Sequence, residues 1–133
     1  VNTINNPEIF KPKIMKIDTS GNIEWQRTYD TNSKEYHHFN ISTTANGDLI
    51  LIGSSGNFYS IGFREDAFMS KIDTNGNIIW TNAYGTLDND DWGWTAFEKP
   101  DGNIVMIGST KSYNASLFDI YLVGTDPNGK LND

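Results

Sequence analysis

The sequence predicts an all-β chain of β-propeller blades, with about two four-stranded blades' worth of strands in staggered order. Three observations predict it. A ten-residue string occurs twice at a fixed offset, short apolar runs are separated by tight-turn signals, and no segment of ten residues has the i, i+3, i+4 apolar spacing of a helix.

The repeat comes first. KIDTSGNIEW at residues 16 to 25 returns as KIDTNGNIIW at residues 71 to 80, an offset of 55 residues. The same offset carries Tyr29 onto Tyr84 and NGDLILIGSS (46 to 55) onto DGNIVMIGST (101 to 110). A third, partial copy follows at an offset of 53, where DIYLVGTDPNG (119 to 129) matches DAFMSKIDTNG (66 to 76). The two-residue difference falls in a loop, where GNFYSIGFRE is longer than KSYNASLF.

Each repeat reads as four short strands. AFMSKID and NIIWTNAYG flank DTNG, whose Asn-Gly suits the positive φ values of a tight hairpin. WGWTAFEK and NIVMIGST flank PDG, a turn with proline at its start. LILIG and IVMIG are apolar on both faces, as expected of strands covered on both sides. Four-stranded sheets repeating every ~40–55 residues indicate a propeller. Trp25 and Trp80 share one position in the fourth strand, where an indole can cover the seam with a neighbouring sheet. Asp18 and Asp73 are placed to start the hairpin turn by bonding backbone amides.

The pattern Lys-Ile-Asp-Thr-x-Gly-Asn-Ile-x-Trp, followed by Tyr-Gly, Asp-Asp-aromatic-Gly, Asp-Gly-x-Ile and Ile-Gly-Ser-Thr, resembles the tandem repeats of bacterial secreted or cell-surface β-propeller proteins. Those repeats lie near the Trp-docking quinoprotein-like and WD40-like propellers. The resemblance runs over nearly the whole chain after about residue 12. It implies four-stranded blades and an extracellular or cell-surface setting, and it is almost silent on activity. Two departures stand out. Asp133 falls where the third copy should carry its Trp, and Glu35-Tyr36-His37-His38 stands where the second copy has Asp90-Asp91-Trp92-Gly93.

Counted in strands, residues 1–12 form an N-terminal extension and residues 13–133 the repeat region. Residues 13–30 supply the last two strands of one blade, 36–84 a complete blade, and 92–133 an incomplete one. Propellers close with about four blades or more, so one such chain does not make a ring. The chain is therefore expected to be part of a larger or oligomeric propeller: it self-associates, or it is a piece of a longer parent. The Val at position 1 fits a processed or excised piece. A monomeric two-sheet sandwich is the structural alternative.

Composition narrows the functions. The chain has 133 residues, four Trp, six Tyr and seven Phe, enough for a modest core. A formal charge of −7 without a Lys/Arg cluster argues against nucleic acid or an anionic membrane as partner. The absence of cysteine excludes disulfides, thiolate metal sites and cysteine nucleophiles. No apolar run approaches the ~18 residues of a membrane-crossing helix.

The acidic stretch LDNDDWGW (87 to 94) is the first candidate site. Asp88, Asp90 and Asp91 could offer oxygens to Ca²⁺, yet their spacing matches no defined loop. A solvated turn in which Asp90 or Asp91 caps backbone amides is the preferred reading, so no cofactor is expected. The turns at Asp18 and Asp73 place glycine too early for a calcium loop and need no metal as hairpins. His37 and His38 are the only histidines, and neighbours on a strand point to opposite faces. There is no Gly-x-Ser-x-Gly elbow, so catalysis is not expected. Trp92 and Trp94 alternate with Gly93 and Thr95, which predicts both indoles on one face. They serve as core, or with Asp90, Asp91, Tyr36 and His37 they line a groove that stacks sugar rings. The triplets Asn40-Ile-Ser42 and Asn114-Ala-Ser116 fit the glycosylation pattern. The expectation is a non-enzymatic extracellular recognition or adhesion module for a glycan or protein ligand. The alternatives are scaffold blades of a larger propeller enzyme, or a purely structural repeat.

Overall fold

The computed structural model describes residues 11–29, 35–56, 64–86 and 89–132, with backbone alone at 35–38. Nine strands follow in order: β1 (Lys13–Ile17), β2 (Ile23–Thr28), β3 (Glu35–Thr43), β4 (Leu49–Gly56), β5 (Glu65–Ile72), β6 (Ile78–Tyr84), β7 (Asp91–Glu98), β8 (Ile104–Thr110) and β9 (Asp119–Thr125). They form three antiparallel meanders, β1-β2, β3-β4-β5-β6 and β7-β8-β9. The chain is thus all-β, with no helix among the described residues. Three sheets replace the two of the sandwich alternative, and the described strands close into neither a barrel nor a ring.

The hairpins differ from the expected two-residue turn. Gly76 has φ 83°, but Asn75 does not join it at positive φ. Asp73 sets the longer loop: its Oδ1 accepts the amides of Asn75 at 2.9 Å and Asn77 at 2.8 Å, while Gly76 N–H closes back on Asp73 O at 3.0 Å. A side chain that bonds two amides downstream favours a turn ending in one left-handed residue, and glycine takes that place without strain. Asp18 does the same for Ser20 and Asn22, and Asp126 for Asn128 and Lys130.

The β4 strand explains the packing. Ile50 and Ile52 are fully buried on one face with Ala67 and Met69, against Ala96, Ile104 and Met106 of the β7-β8-β9 sheet. On the other face Leu51, Phe68 and Ile72 pack with Tyr29 and Ile14 of the β1-β2 side. The middle sheet is therefore covered on both sides, as LILIG predicts. IVMIG departs from that expectation. Ile104 and Met106 are buried against the middle sheet, but Val105 and Ile107 are only half-buried, and Ile120 and Leu122 of β9 are 75% and 68% exposed.

Indoles join the sheets. Trp25 Nε1 donates to Thr74 O in the β5–β6 turn at 3.0 Å, and Trp80 Nε1 donates to Pro127 O in the turn after β9 at 3.2 Å. Tyr29 and Tyr84 repeat the pattern, each giving its hydroxyl to a turn glycine: Gly76 O at 3.0 Å and Gly129 O at 2.8 Å. A polar clasp adds to the second joint. Glu98 of β7 accepts the Ala45 amide at 2.8 Å, and Lys71 lies 3.8 Å from both Glu98 and Asp48.

Truncating Ile52 to Ala is expected to cost about 2–5 kcal/mol, as for large-to-small changes in a filled core, read as a lowered urea midpoint. Trp80→Phe keeps most of the ring and loses the indole hydrogen bond, with an expected loss of about 1 kcal/mol by the same measurement.

Candidate functional site

The acidic stretch lies at the end of the sheets where the β6–β7 and β8–β9 connections emerge. Asp91, at the start of β7, is fully buried. Its Oδ1 accepts the Thr110 hydroxyl, and its Oδ2 accepts the Ser112 hydroxyl at 2.6 Å and the Thr86 amide at 3.2 Å. Ser112 and Thr86 hydroxyls bond each other at 2.7 Å, and Ser112 N–H donates to Thr110 Oγ1 at 2.9 Å. A buried carboxylate is tolerable when its lone pairs are filled in this way. Gly85, at φ 154°, passes so close that a Cβ there would collide with Asp91 Oδ2. Asp90 is committed as well. Its carboxylate pairs with Lys111 Nζ at 2.9 Å and accepts the Glu65 amide at 3.3 Å.

Both Asp91 oxygens are engaged by protein donors, Asp90 faces an ammonium, and among the described residues no group of three or more His, Cys, Asp or Glu is arranged to hold an ion. Asp88 lies outside the described residues. Capping of backbone amides, through Thr86 and Glu65, is what Asp91 and Asp90 do.

The two tryptophans of the acidic stretch sit beside an irregularity in the ladder. The β7-β8 ladder pairs Gly93 with Gly108 and then Thr95 with Ile107, so Trp94 is the extra residue of a bulge. A bulge interrupts the two-residue alternation at this point of β7. Trp92 stacks on Phe118, with ring centroids 4.4 Å apart and planes 25° from parallel. Lys111 Nζ sits 4.2 Å from the Phe118 ring centroid. Trp94 is 47% exposed, and its carbonyl accepts Asn40 Nδ2 at 3.0 Å. The bulge recurs in β3 between His37 and Asn40, where Phe39 holds the position that Trp94 holds in β7. Tyr36 pairs with Ser55 and His37 with Ser54 through the backbone, and their side chains lie outside the described residues.

Sequence reading missed the partners that complete this end. Ser112, Thr110 and Thr86 enclose Asp91, and their signal was the hydroxyl-rich STKS run one hairpin after the Asp pair. Tyr113, Leu117 and Phe118 were unmarked because the 111–118 loop has no counterpart pattern in the other copy. Tyr113 is 66% exposed, and it and Asn114 adopt φ 56° and 66°. Asn114 of the second glycosylation triplet is thus on an exposed loop, whereas the Asn40 amide is bonded to Trp94 and Ile41. A separate apolar cleft of about 380 Å³ opens between β1 and the β3-β4 hairpin, lined by Ile14, Trp25, Ile41 and Leu49 among others.

No protein-family model matches the chain, and no curated protein matches it in sequence.

Charge at this end has a pH signature. Burial, then the neighbouring Asp91 and Asp90 charges, raise the Asp66 carboxyl above its ordinary value. A raised carboxyl favours the fold below its unfolded pKa and opposes it once pH passes the folded value. Asp66→Asn should therefore stabilise the chain at neutral pH and change little in acid, measured as melting temperature against pH. Hydrogen bonds from Asn22 and from Asn77 lower Asp18 and Asp73, so those turns lose stability as pH falls through the carboxylate range. Tyr84 is pushed up to about 12, chiefly by burial, so its contribution is whole below the unfolded phenol's value and is lost as pH rises from there through about 12. Asp91→Asn leaves one acceptor where two served three donors, and should lower stability by about 1–3 kcal/mol in chemical denaturation.

Proposed function

We propose that the chain is a non-enzymatic recognition module of propeller-type blades, working outside the cell or at its surface and binding through the aromatic end formed by the 111–118 loop and the start of β7. Carbohydrate is the ligand class that this end suits best. The observation that carries the reading is the exposed aromatic edge. Tyr113 and Phe118 are exposed on the 111–118 loop, Lys111 of the Asp90–Lys111 pair lies over the Phe118 ring, and Phe118 stacks on Trp92. Sugar rings stack on such faces while flanking charged groups meet their hydroxyls. The carboxylates at this end are occupied by structural hydrogen bonds, which favours binding over acid–base chemistry.

The blade part of the proposal draws on the register-matched indole joints and on the two-sided burial of the middle sheet. The outward faces at either end of the stack carry exposed apolar side chains, Met15 and Ile17 at one and Ile120 and Leu122 at the other. They suit stacking against further sheets, through self-association or within a longer chain.

Binding to a glycan array is the test. Tyr113→Ala and Phe118→Ala should weaken retained glycans about tenfold, the scale of one lost aromatic contact, without moving the melting temperature of the Tyr113 variant. An array with no retained glycan overturns the carbohydrate reading. Sedimentation should show particles heavier than one chain at high concentration; a monomer throughout removes self-association.

A further inference from the structure

We propose that the Asp18–Asn22 hairpin is an unfilled docking seat for a strand carrying Trp and Tyr four residues apart, supplied by another repeat of this kind. The inference rests on the stacking part of the function proposed above and names the contact that such stacking would use.

The chain contains the same seat three times. At the Asp73–Asn77 turn, Thr74 O and Gly76 O accept the indole of Trp25 and the hydroxyl of Tyr29. At the Asp126–Lys130 turn, Pro127 O and Gly129 O accept Trp80 and Tyr84 in the same way. The glycine makes room for the ring. A Cβ on Gly76 would lie 3.1 Å from the Trp25 ring, and one on Gly129 would lie 2.8 Å from that of Trp80.

The Asp18–Asn22 turn has the same build. Asp18 Oδ1 accepts the Ser20 and Asn22 amides, both at 2.8 Å, and Gly21 has φ 86° against 83° and 76° at the other two. Yet a Cβ on Gly21 would meet nothing within 4 Å. Among the described residues, no ring lies on this turn. The surface beside it is also open: Met15 and Ile17 are 48% and 57% exposed, while their counterparts in the middle sheet, Ser70 and Ile72, are buried. By register, Thr19 O and Gly21 O are the acceptors that an incoming indole and phenol would use.

The occupant follows from the two filled seats. It is an extended strand with Trp-x-x-x-Tyr, so that both rings fall on one face. A second copy folded as this one has none to offer, because Trp25–Tyr29 and Trp80–Tyr84 are already seated in their own chain. The third copy carries Asp133 at the matching position. The partner is therefore a different repeat unit bearing that strand.

The test is an NMR titration of the ¹⁵N-labelled chain with a peptide of residues 67–84, AFMSKIDTNGNIIWTNAY, which carries the Trp80–Tyr84 segment. Amide shifts are expected at Thr19 to Asn22 and at Met15, Ile17 and Ile23. Peptide affinity should fall about tenfold with Trp80→Ala in the peptide, as one buried aromatic and its hydrogen bond are lost. Gly21→Asn in the protein tolerates the left-handed turn but fills the ring's place, and should abolish the shifts. Shifts confined to other residues, or equal affinity for the Ala peptide, overturn the proposal. Concentration-dependent shifts at Thr19 to Asn22 without peptide also overturn it, in favour of a second copy. Glycan binding by the 111–118 loop is read separately and stands or falls on its own.

Discussion

The structure depends on the burial of β4 from both sides. A strand with Ile50 and Ile52 turned one way and Leu51 the other cannot satisfy itself in a two-layer sheet, since one row would always meet water. Each fully buried aliphatic side chain is worth about 1.5–3 kcal/mol over exposure, so the neighbours on both sides are part of the reason the middle sheet forms at all. The indole and phenol hydrogen bonds then fix how far each neighbour can slide. Trp25, Tyr29, Trp80 and Tyr84 share one direction, the outer strand of one sheet reaching the turn of the next, while Tyr121 of β9 gives its hydroxyl back to Tyr84 O.

Much of this was legible in the sequence, and the reason is local. Turn chemistry at Asp18, Asp73 and Asp126 is written in four or five consecutive residues, and the doubly apolar runs announce a covered strand. The repeat offset ties the two together, because it places Trp25 and Trp80 in one position before any contact is known. What the sequence hid was conformational detail set by neighbours. The turns are longer than Asn-Gly suggests because an aspartate holds them open. The bulge at Trp94 leaves no mark in residue type, since Trp-Gly-Trp-Thr reads as plain alternation. The uncovered side of β8 is likewise invisible, because an apolar row looks the same whether or not anything lies on it.

The end bearing Asp91 shows why the acidic stretch misled. A run of aspartates suggests affinity for cations as long as the hydroxyls that answer it are unseen. Thr110 and Ser112 arrive from the next hairpin and Thr86 from the preceding loop, so the carboxylate is enclosed by parts of the chain up to 21 residues away. Phe118 reaches Trp92 over a similar distance. The site is a product of tertiary contact, built on a β-ladder that the sequence did reveal.

Because each sheet presents one surface forward and a different one backward, the stack has polarity, like a row of nested cups. Met15 and Ile17 line the bottom of the first cup, and Ile120 and Leu122 the rim of the last. An engineered terminating cap with a polar outer side would thus need two unrelated designs, one moulded to receive and one to insert. A single cap used at both ends would fit only one.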